Sequence, residues 1–167
     1  MIRFILGGAQ SGKTRFALLS ARDFPPKRIY IATGLPIDDE MREKIEKHKK
    51  ERGADFDTWE EPLYIQPLLN KIDSTIKVVV FDCITTWVAN MMLNNEDPFP
   101  YIGGFLDKVS QFDIPFYFIS NEVGMGIVPS NSLSRRYREV LGKINILFAQ
   151  EAEEVYFMIS GIPWKIK

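Results

Sequence analysis

Apolar and polar positions along the chain change repeatedly between a strand-like and a helical period. Residues 2–6 (IRFIL) form a short apolar run that stops at Gly7-Gly8, which predicts a strand. Phe16, Ala17, Leu19 and Ser20 then recur near helical spacing, predicting a helix over 13–23 that Pro25-Pro26 ends. Residues 28–32 (RIYIA) predict a second strand. Asp38, Asp39 and Glu40 place negative charge at the start of a helix expected to run to about Arg52, where the macrodipole favours it, and Gly53 is a natural stop. Residues 77–81 (KVVVF) are almost purely β-branched and aromatic, as in a strand buried on both faces. A helix is expected over 86–93, further strands over 115–120 and 154–160, and a long helix over 132–152 with an apolar face. Residues 94–104 are expected to form a loop or part of an oligomer contact.

Strand–helix alternation from end to end predicts an α/β fold: right-handed crossovers and a mostly parallel sheet with helices on both faces. In such sheets ligands bind beyond the carboxyl ends of the strands. The segments GGAQSGKT, TGLP, DCITT and SNEVGMG each follow an apolar strand, so they are expected to converge on one edge. At 167 residues the chain has room for one domain, 1–167. With 46% hydrophobic and 26% charged residues, its balance is that of an ordinary soluble protein. A formal net charge of −1 argues against bulk attraction to nucleic acid or anionic membranes. One cysteine cannot build an intramolecular disulfide, and the apolar start is too short for a secretory core or a membrane span. A cytoplasmic protein, with no nucleic-acid partner and no membrane insertion, is expected.

Gly7, Gly8, Ala9, Gln10, Ser11, Gly12, Lys13 and Thr14 fit G-x-x-x-x-G-K-[ST] in full, between a predicted strand and a predicted helix. Glycines let successive backbone N–H groups turn toward phosphate oxygens, and the helix adds its positive end. Lys13 then neutralises the β- and γ-phosphates, and Thr14 offers a hydroxyl to Mg²⁺. Asp82 ends the VVVF strand, expected to neighbour the strand of the phosphate loop, and is the second acidic group for that ion. Together these residues predict a nucleoside triphosphate and magnesium.

The sole histidine, His48, sits among Lys44, Lys47, Lys49 and Lys50. A ring nitrogen can attack phosphorus and hold the phosphoryl group as a phosphoramidate, and flanking ammonium groups favour the neutral, nucleophilic ring. The residues alone leave a solvated basic helix face as the other reading. Thr33, Gly34, Glu60 and Glu61 either bind base, ribose or metal or form a turn and an acidic surface pair. Asn121 and Glu122 open a glycine-containing loop suited to a bulky substrate, or to an ordinary connection. Arg135, Arg136 and Arg138 either clamp phosphate or form a basic helix surface. Cys83 reads as packing rather than as a nucleophile.

GGAQSGKT, YIATG, DDEM with His48 eight residues beyond Glu40, DCITTWVANM, SNEVGMGIVP and SGIPWKIK occur in that order. With them the chain resembles the bifunctional adenosylcobinamide kinase / adenosylcobinamide-phosphate guanylyltransferase family of cobalamin biosynthesis, weakest over 94–112. The resemblance implies a RecA-like P-loop domain, a homotrimer, and His48 as the guanylylated histidine. It also implies nucleotide contacts at Gly7 to Thr14, Ala32, Thr33 and Gly34, and further GTP-site positions at Lys49, Lys50, Glu51, Arg52, Glu60 and Asp82. The implied partners are adenosylcobinamide and its phosphate, with GTP, or ATP for the kinase step, as donor. Other readings are a member with guanylyltransfer alone, a plain P-loop kinase, and a GTP-dependent switch; no N-K-x-D guanine motif supports the switch.

Overall fold

The computed structural model describes residues 1–35 and 39–167; the side chains of residues 40, 41, 44, 45, 47, 48 and 51 lie outside the described set. In chain order the elements are β1 (Ile2–Gly7), α1 (Lys13–Ala21), β2 (Arg28–Ala32), α2 (Asp39–Arg52), a 3-10 turn (Gly53–Asp55), β3 (Asp57–Glu60), α3 (Gln66–Leu69) and β4 (Val78–Asp82). They continue with α4 (Ile84–Leu93), α5 (Phe99–Ser110), β5 (Phe116–Ile119), α6 (Ser132–Glu151), β6 (Glu154–Ile159) and β7 (Ile162–Lys165). The strands form one sheet in the order β3-β2-β4-β5-β1-β6-β7. Among the described residues, only β7, antiparallel to β6, breaks the parallel pairing.

Strand alternation sorts the core into two layers. Phe4, Ile29, Ile31, Val79, Phe81, Phe116 and Phe118 face one side, where Trp87 and Val88 of α4, Phe105 of α5 and Leu141, Ile144 and Phe148 of α6 cover them. Ile5, Tyr30, Val78, Val80, Tyr117 and Ile119 face the other, against Ala17, Leu18 and Ala21 of α1. Phe118 is the hub of the first layer: its ring centroid lies 5.6 Å from that of Phe81, 5.8 Å from Phe105 and 4.9 Å from Phe148.

Four elements were not expected. α5 begins inside the segment 94–104 read as a loop or contact and runs six residues past it; Pro98, Pro100 and Gly103-Gly104 disguise a buried stripe at Ile102, Phe105, Leu106 and Val109. The short α3 buries Leu68 and Leu69. β3 and β7 are exposed edge strands, polar in one case and carrying Pro163 in the other, so neither has a buried strand's apolar signature. One adjacency is corrected: β5 lies between β4 and β1, so Asp82 and the phosphate loop do not leave neighbouring strands. The helix expected from Asp38 is described from Asp39; Asp38 itself lies outside the described residues.

Glu154 ties three strands together. Its Oε2 accepts from Arg3 Nε of β1 at 2.6 Å, and its Oε1 accepts from Lys165 Nζ of β7 at 2.6 Å. Lys165 and Arg3 hold its carboxyl below the ordinary 4.5. A carboxyl held low in the folded state adds stability that is complete above the unfolded value and lost as pH falls through the folded one. Glu154→Gln is therefore expected to lower the melting temperature by about 3 °C or less at pH 7, with the difference closing below about pH 4. Phe118→Ala should cost about 3–5 kcal/mol, read as a large loss of denaturation midpoint at unchanged slope.

Candidate functional site: a phosphate loop at the carboxyl edge of the sheet

The four expected segments meet at one edge, because their parent strands run parallel; of TGLP, Thr33 to Leu35 are seen there and Pro36 lies outside the described residues. Backbone hydrogen bonds lace them together: Glu122 N donates to Gly7 O at 3.1 Å, Thr33 N to Asp82 O at 3.2 Å and Glu61 N to Ala32 O at 3.0 Å. Thr33 Oγ1 also donates to Cys83 O and accepts from Cys83 N, both at 2.9 Å.

The phosphate loop is held from beneath by the last hairpin. Ser160 and Gly161, both left-handed, form the two-residue turn between β6 and β7, and Gly161 N donates to Ser11 O at 3.0 Å. A Cβ on Gly12, itself at φ +91, would stand 3.2 Å from Gly161 Cα; one on Gly7 would stand 2.7 Å from Met158 O. Glycine is thus required at position 7 by the close approach of β6, and favoured at position 12 by its left-handed backbone beside the β6–β7 turn. The terminal SGIP segment is a buttress for the loop, which sequence reading did not foresee.

Gly12 caps α1 without a side-chain acceptor, so the first amides of the helix remain donors for an anion. Lys13 is buried, with Nζ donating to Gly7 O at 3.1 Å and Gly8 O at 2.5 Å. Burial lowers its pKa, against the opposing pull of Cys83 and Asp82. Thr14 Oγ1, at the start of α1, reaches across β5 and donates to Asp82 Oδ2 at 2.7 Å. Among the described residues, no group of three or more His, Cys, Asp or Glu forms a metal cluster. A hard ion here would take Thr14, Asp82, water and phosphate oxygens, which is how Mg²⁺ is commonly held beside phosphates.

The remaining predicted residues divide sharply. His48 lies in the backbone of α2, but its side chain and that of Glu51 lie outside the described residues. Lys49 Nζ stands 4.0 Å from Glu60 Oε1, joining two predicted GTP-site positions, while Lys50 is exposed. Arg52 is buried, its guanidinium 4.1 Å from the centroid of the Tyr30 ring. Gly8, Ala9 and Gln10 are exposed at the loop's tip and Ser11 is buried; Ala32 and Gly34 are half-buried, Thr33 buried.

Among the residues expected on the substrate side, Arg135 Nη1 donates to Pro129 O at 3.0 Å and Ser130 O at 2.6 Å, and Arg138 Nη2 donates to Gly124 O. These two side chains brace the 124–130 loop. Arg136 is exposed. A cleft of about 450 Å³ runs between loop and helix, lined by Gly124, Val128, Arg135, Arg138, Gly142 and Lys143 among others. Cys83 accepts from Thr86 N through Sγ at 3.4 Å and caps α4; burial raises its pKa, so the thiol stays protonated and packs.

Two groups escaped sequence reading. Ser120 Oγ donates to Asn145 Oδ1 at 2.7 Å, Asn145 Nδ2 donates to Asn121 O at 3.1 Å, and Asn121 N donates to Thr85 Oγ1 at 2.7 Å. Tyr137 OH donates to Thr85 O at 3.0 Å, and burial pushes its pKa up. This chain of bonds fixes the loop after β5 to α4 and α6. Its signal was Asn145, a polar residue inside the apolar stripe of α6. The second is Tyr30, whose hydroxyl donates to Asp82 Oδ2 at 2.7 Å. Burial and the neighbouring Asp82 raise its pKa well above 10, so it remains a donor.

Comparison with known proteins adds the family. The family model described as cobinamide kinase / cobinamide phosphate guanyltransferase matches residues 3–166. A bifunctional adenosylcobalamin biosynthesis protein, CobU, of Salmonella typhimurium is 34% identical, with all of both chains covered. The similarly named CobP of Pseudomonas aeruginosa is 35% identical over 98% of this chain and 95% of its own. Among solved structures, the flagellar accessory protein FlaH of Methanocaldococcus jannaschii superposes with TM-score 0.52 at 11% identity, over 98% of this chain and 75% of its own. An ATPase of the type III secretion system of pathogenic bacteria gives 0.54 at 7% identity, over 93% and 50%. These likenesses show a RecA-like P-loop fold.

Lys13→Met tests the cradle. It is expected to weaken binding of a nucleoside triphosphate by about tenfold or more, as lost charge-assisted bonds do. The melting temperature should hold or rise, because a buried ammonium is removed; equilibrium binding and thermal denaturation check both.

Proposed function

The chain belongs to the cobinamide kinase / cobinamide phosphate guanyltransferase family, and we propose that it carries out both transfers at the carboxyl edge of its sheet, the second through a guanylyl-His48 intermediate. One observation carries the reading. The phosphate loop and the Thr14–Asp82 pair stand at that edge, and the histidine helix reaches toward it through Lys49, whose Nζ lies 4.0 Å from Oε1 of Glu60, the last residue of β3.

In the first reaction the hydroxyl oxygen of adenosylcobinamide attacks the γ-phosphorus of GTP or ATP. The bond to the β-phosphate oxygen breaks, and the hydroxyl proton passes to water. In the second, a ring nitrogen of His48 attacks the α-phosphorus of GTP, an N–P bond forms and pyrophosphate leaves. The phosphate of adenosylcobinamide phosphate then attacks the same phosphorus, the N–P bond breaks, and adenosylcobinamide-GDP leaves with His48 restored. Splitting the displacement avoids a direct encounter between two polyanions.

Lys13 releases its loop carbonyls to take phosphate oxygens, and the amides of the loop and of the first turn of α1 orient the chain of phosphates. Thr14 and Asp82 would hold Mg²⁺, which offsets charge developing on the phosphate oxygens. Ala32, Thr33 and Gly34, with Lys49, Lys50, Glu51, Arg52 and Glu60, complete the nucleotide side. Asn121, Glu122 and the cleft beside Arg135, Arg136 and Arg138 face the corrinoid substrate. A cytoplasmic homotrimer is the setting of this reading, and the exposed Met125, Ile127, Ile162 and Trp164 offer apolar surface for such an assembly.

Incubation with α-labelled and γ-labelled GTP in separate tubes, followed by alkaline denaturation, separates the possibilities. Label should stay on the protein from α-labelled GTP alone, be released by acid, and vanish in His48→Asn. An absence of protein-bound α-label with Mg²⁺ present overturns the covalent step; label from the γ-position overturns the assignment of phosphorus.

A further inference from the structure

Tyr30 sits in the middle of β2, paired with Val80 of β4, and Asp82 lies two residues further along β4. Tyr30 and Val80 pack in the layer against α1. Two residues of strand span roughly 6.6 Å, about the reach of a phenol from Cα, so a tyrosine here can lie along the sheet and meet Asp82 end-on. It does so: Tyr30 OH donates to Asp82 Oδ2 at 2.7 Å, the oxygen to which Thr14 Oγ1 also donates at 2.7 Å. Asp82 Oδ1 accepts no hydrogen bond among the described residues. The carboxylate is thus gripped by one oxygen from two directions, and the other oxygen is left for solvent or an ion. The face of the same ring carries the guanidinium of Arg52, the last residue of α2, at 4.1 Å from its centroid. The side chain is 2% exposed, so no substrate reaches it.

Resting on the reading of Thr14 and Asp82 as the metal-holding pair, we propose that Tyr30 is a positioning residue for that site. Its hydroxyl fixes the rotation of the Asp82 carboxylate so that the second oxygen faces the ion's water shell. Thr14 alone would leave this orientation loose, because a hydroxyl that gives a lone pair to an ion keeps a single proton with which to hold Asp82. Tyr30 supplies a second donor that is not itself drawn into the metal's shell. The aromatic ring adds what a shorter hydroxyl residue would lack: a shelf for Arg52, joining the end of the histidine helix to the strand that supports Asp82.

Tyr30→Phe removes one oxygen and keeps the ring beneath Arg52. The protein is loaded with GDP, and free Mn²⁺ is followed by electron paramagnetic resonance for the parent protein, Tyr30→Phe, Asp82→Asn and the double variant. Expected is a Mn²⁺ dissociation constant raised about three- to tenfold in Tyr30→Phe, the size of one lost hydrogen bond. GDP affinity in EDTA should be unchanged, and Tyr30→Phe should add less than about twofold in the Asp82→Asn background. Equal Mn²⁺ affinity in Tyr30→Phe and parent overturns the proposal, as does the same full factor in both backgrounds, which would mark a general effect of the core. If the parent complex holds no more Mn²⁺ than free GDP does, the metal reading itself falls and the proposal falls with it, a result distinct from either of the others.

Discussion

A single carboxylate oxygen, Asp82 Oδ2, receives the hydroxyls of Thr14 and Tyr30, and the working edge of the molecule is organised around that junction. Thr14 opens the helix of the phosphate loop, Asp82 ends β4, and Tyr30 lies in β2, so three elements must be in register before the junction can form. Register in turn is set by burial. Every strand from β2 to β1 is covered on both faces, and a slip of one residue would send Phe81 and Phe118 to the α1 side and Val80 and Tyr117 into the aromatic layer.

Packing of backbone against backbone is the second condition. The phosphate loop packs on β6 and the β6–β7 turn, so that a Cβ on Gly7 would collide with Met158 O and one on Gly12 would crowd Gly161 Cα, and it is tied to the loop after β5 through Glu122 N and Gly7 O. Parallel strands leave their chain ends free at one edge, and here those ends are bonded to one another rather than to solvent alone. The result is a cradle whose backbone is held in place by the sheet.

The cations of the chain are used in two ways. Arg52, Arg135 and Arg138 are engaged in holding structure: one stacks on a tyrosine, the other two anchor loop carbonyls. Lys13 also bonds to loop carbonyls, but at a cost in desolvation that the pull of Cys83 and Asp82 opposes and a bound phosphate would offset further. Guanidinium suits the first task, since its planar fork satisfies several acceptors at once and stacks on rings. An ammonium suits the second, since its proton donors rotate easily from carbonyl to phosphate.

Much of this was legible in the order of residues. The strand runs, four of the six helices among the described residues, the phosphate loop and Asp82 announce themselves because each depends on local spacing: apolar period, glycine placement, a lysine and threonine at a helix start. What stayed hidden is non-local. The edge strands β3 and β7 carry little burial signal, and α5 is masked by prolines and glycines that its neighbours tolerate. Arg135 and Arg138 read as phosphate clamps or plain surface until the loop carbonyls they bind are seen. Tyr30 reads as core, and it is core; that its hydroxyl also grips Asp82 depends on which strand pairs with β2 and in what register. Local chemistry is written along the chain, because phosphate binding needs contiguous backbone. The placing of β5 between β4 and β1, and the meeting of Tyr30, Thr14 and Asp82, belong to the tertiary structure, because strand order and register minimise the free energy of the whole buried sheet and of no one segment within it.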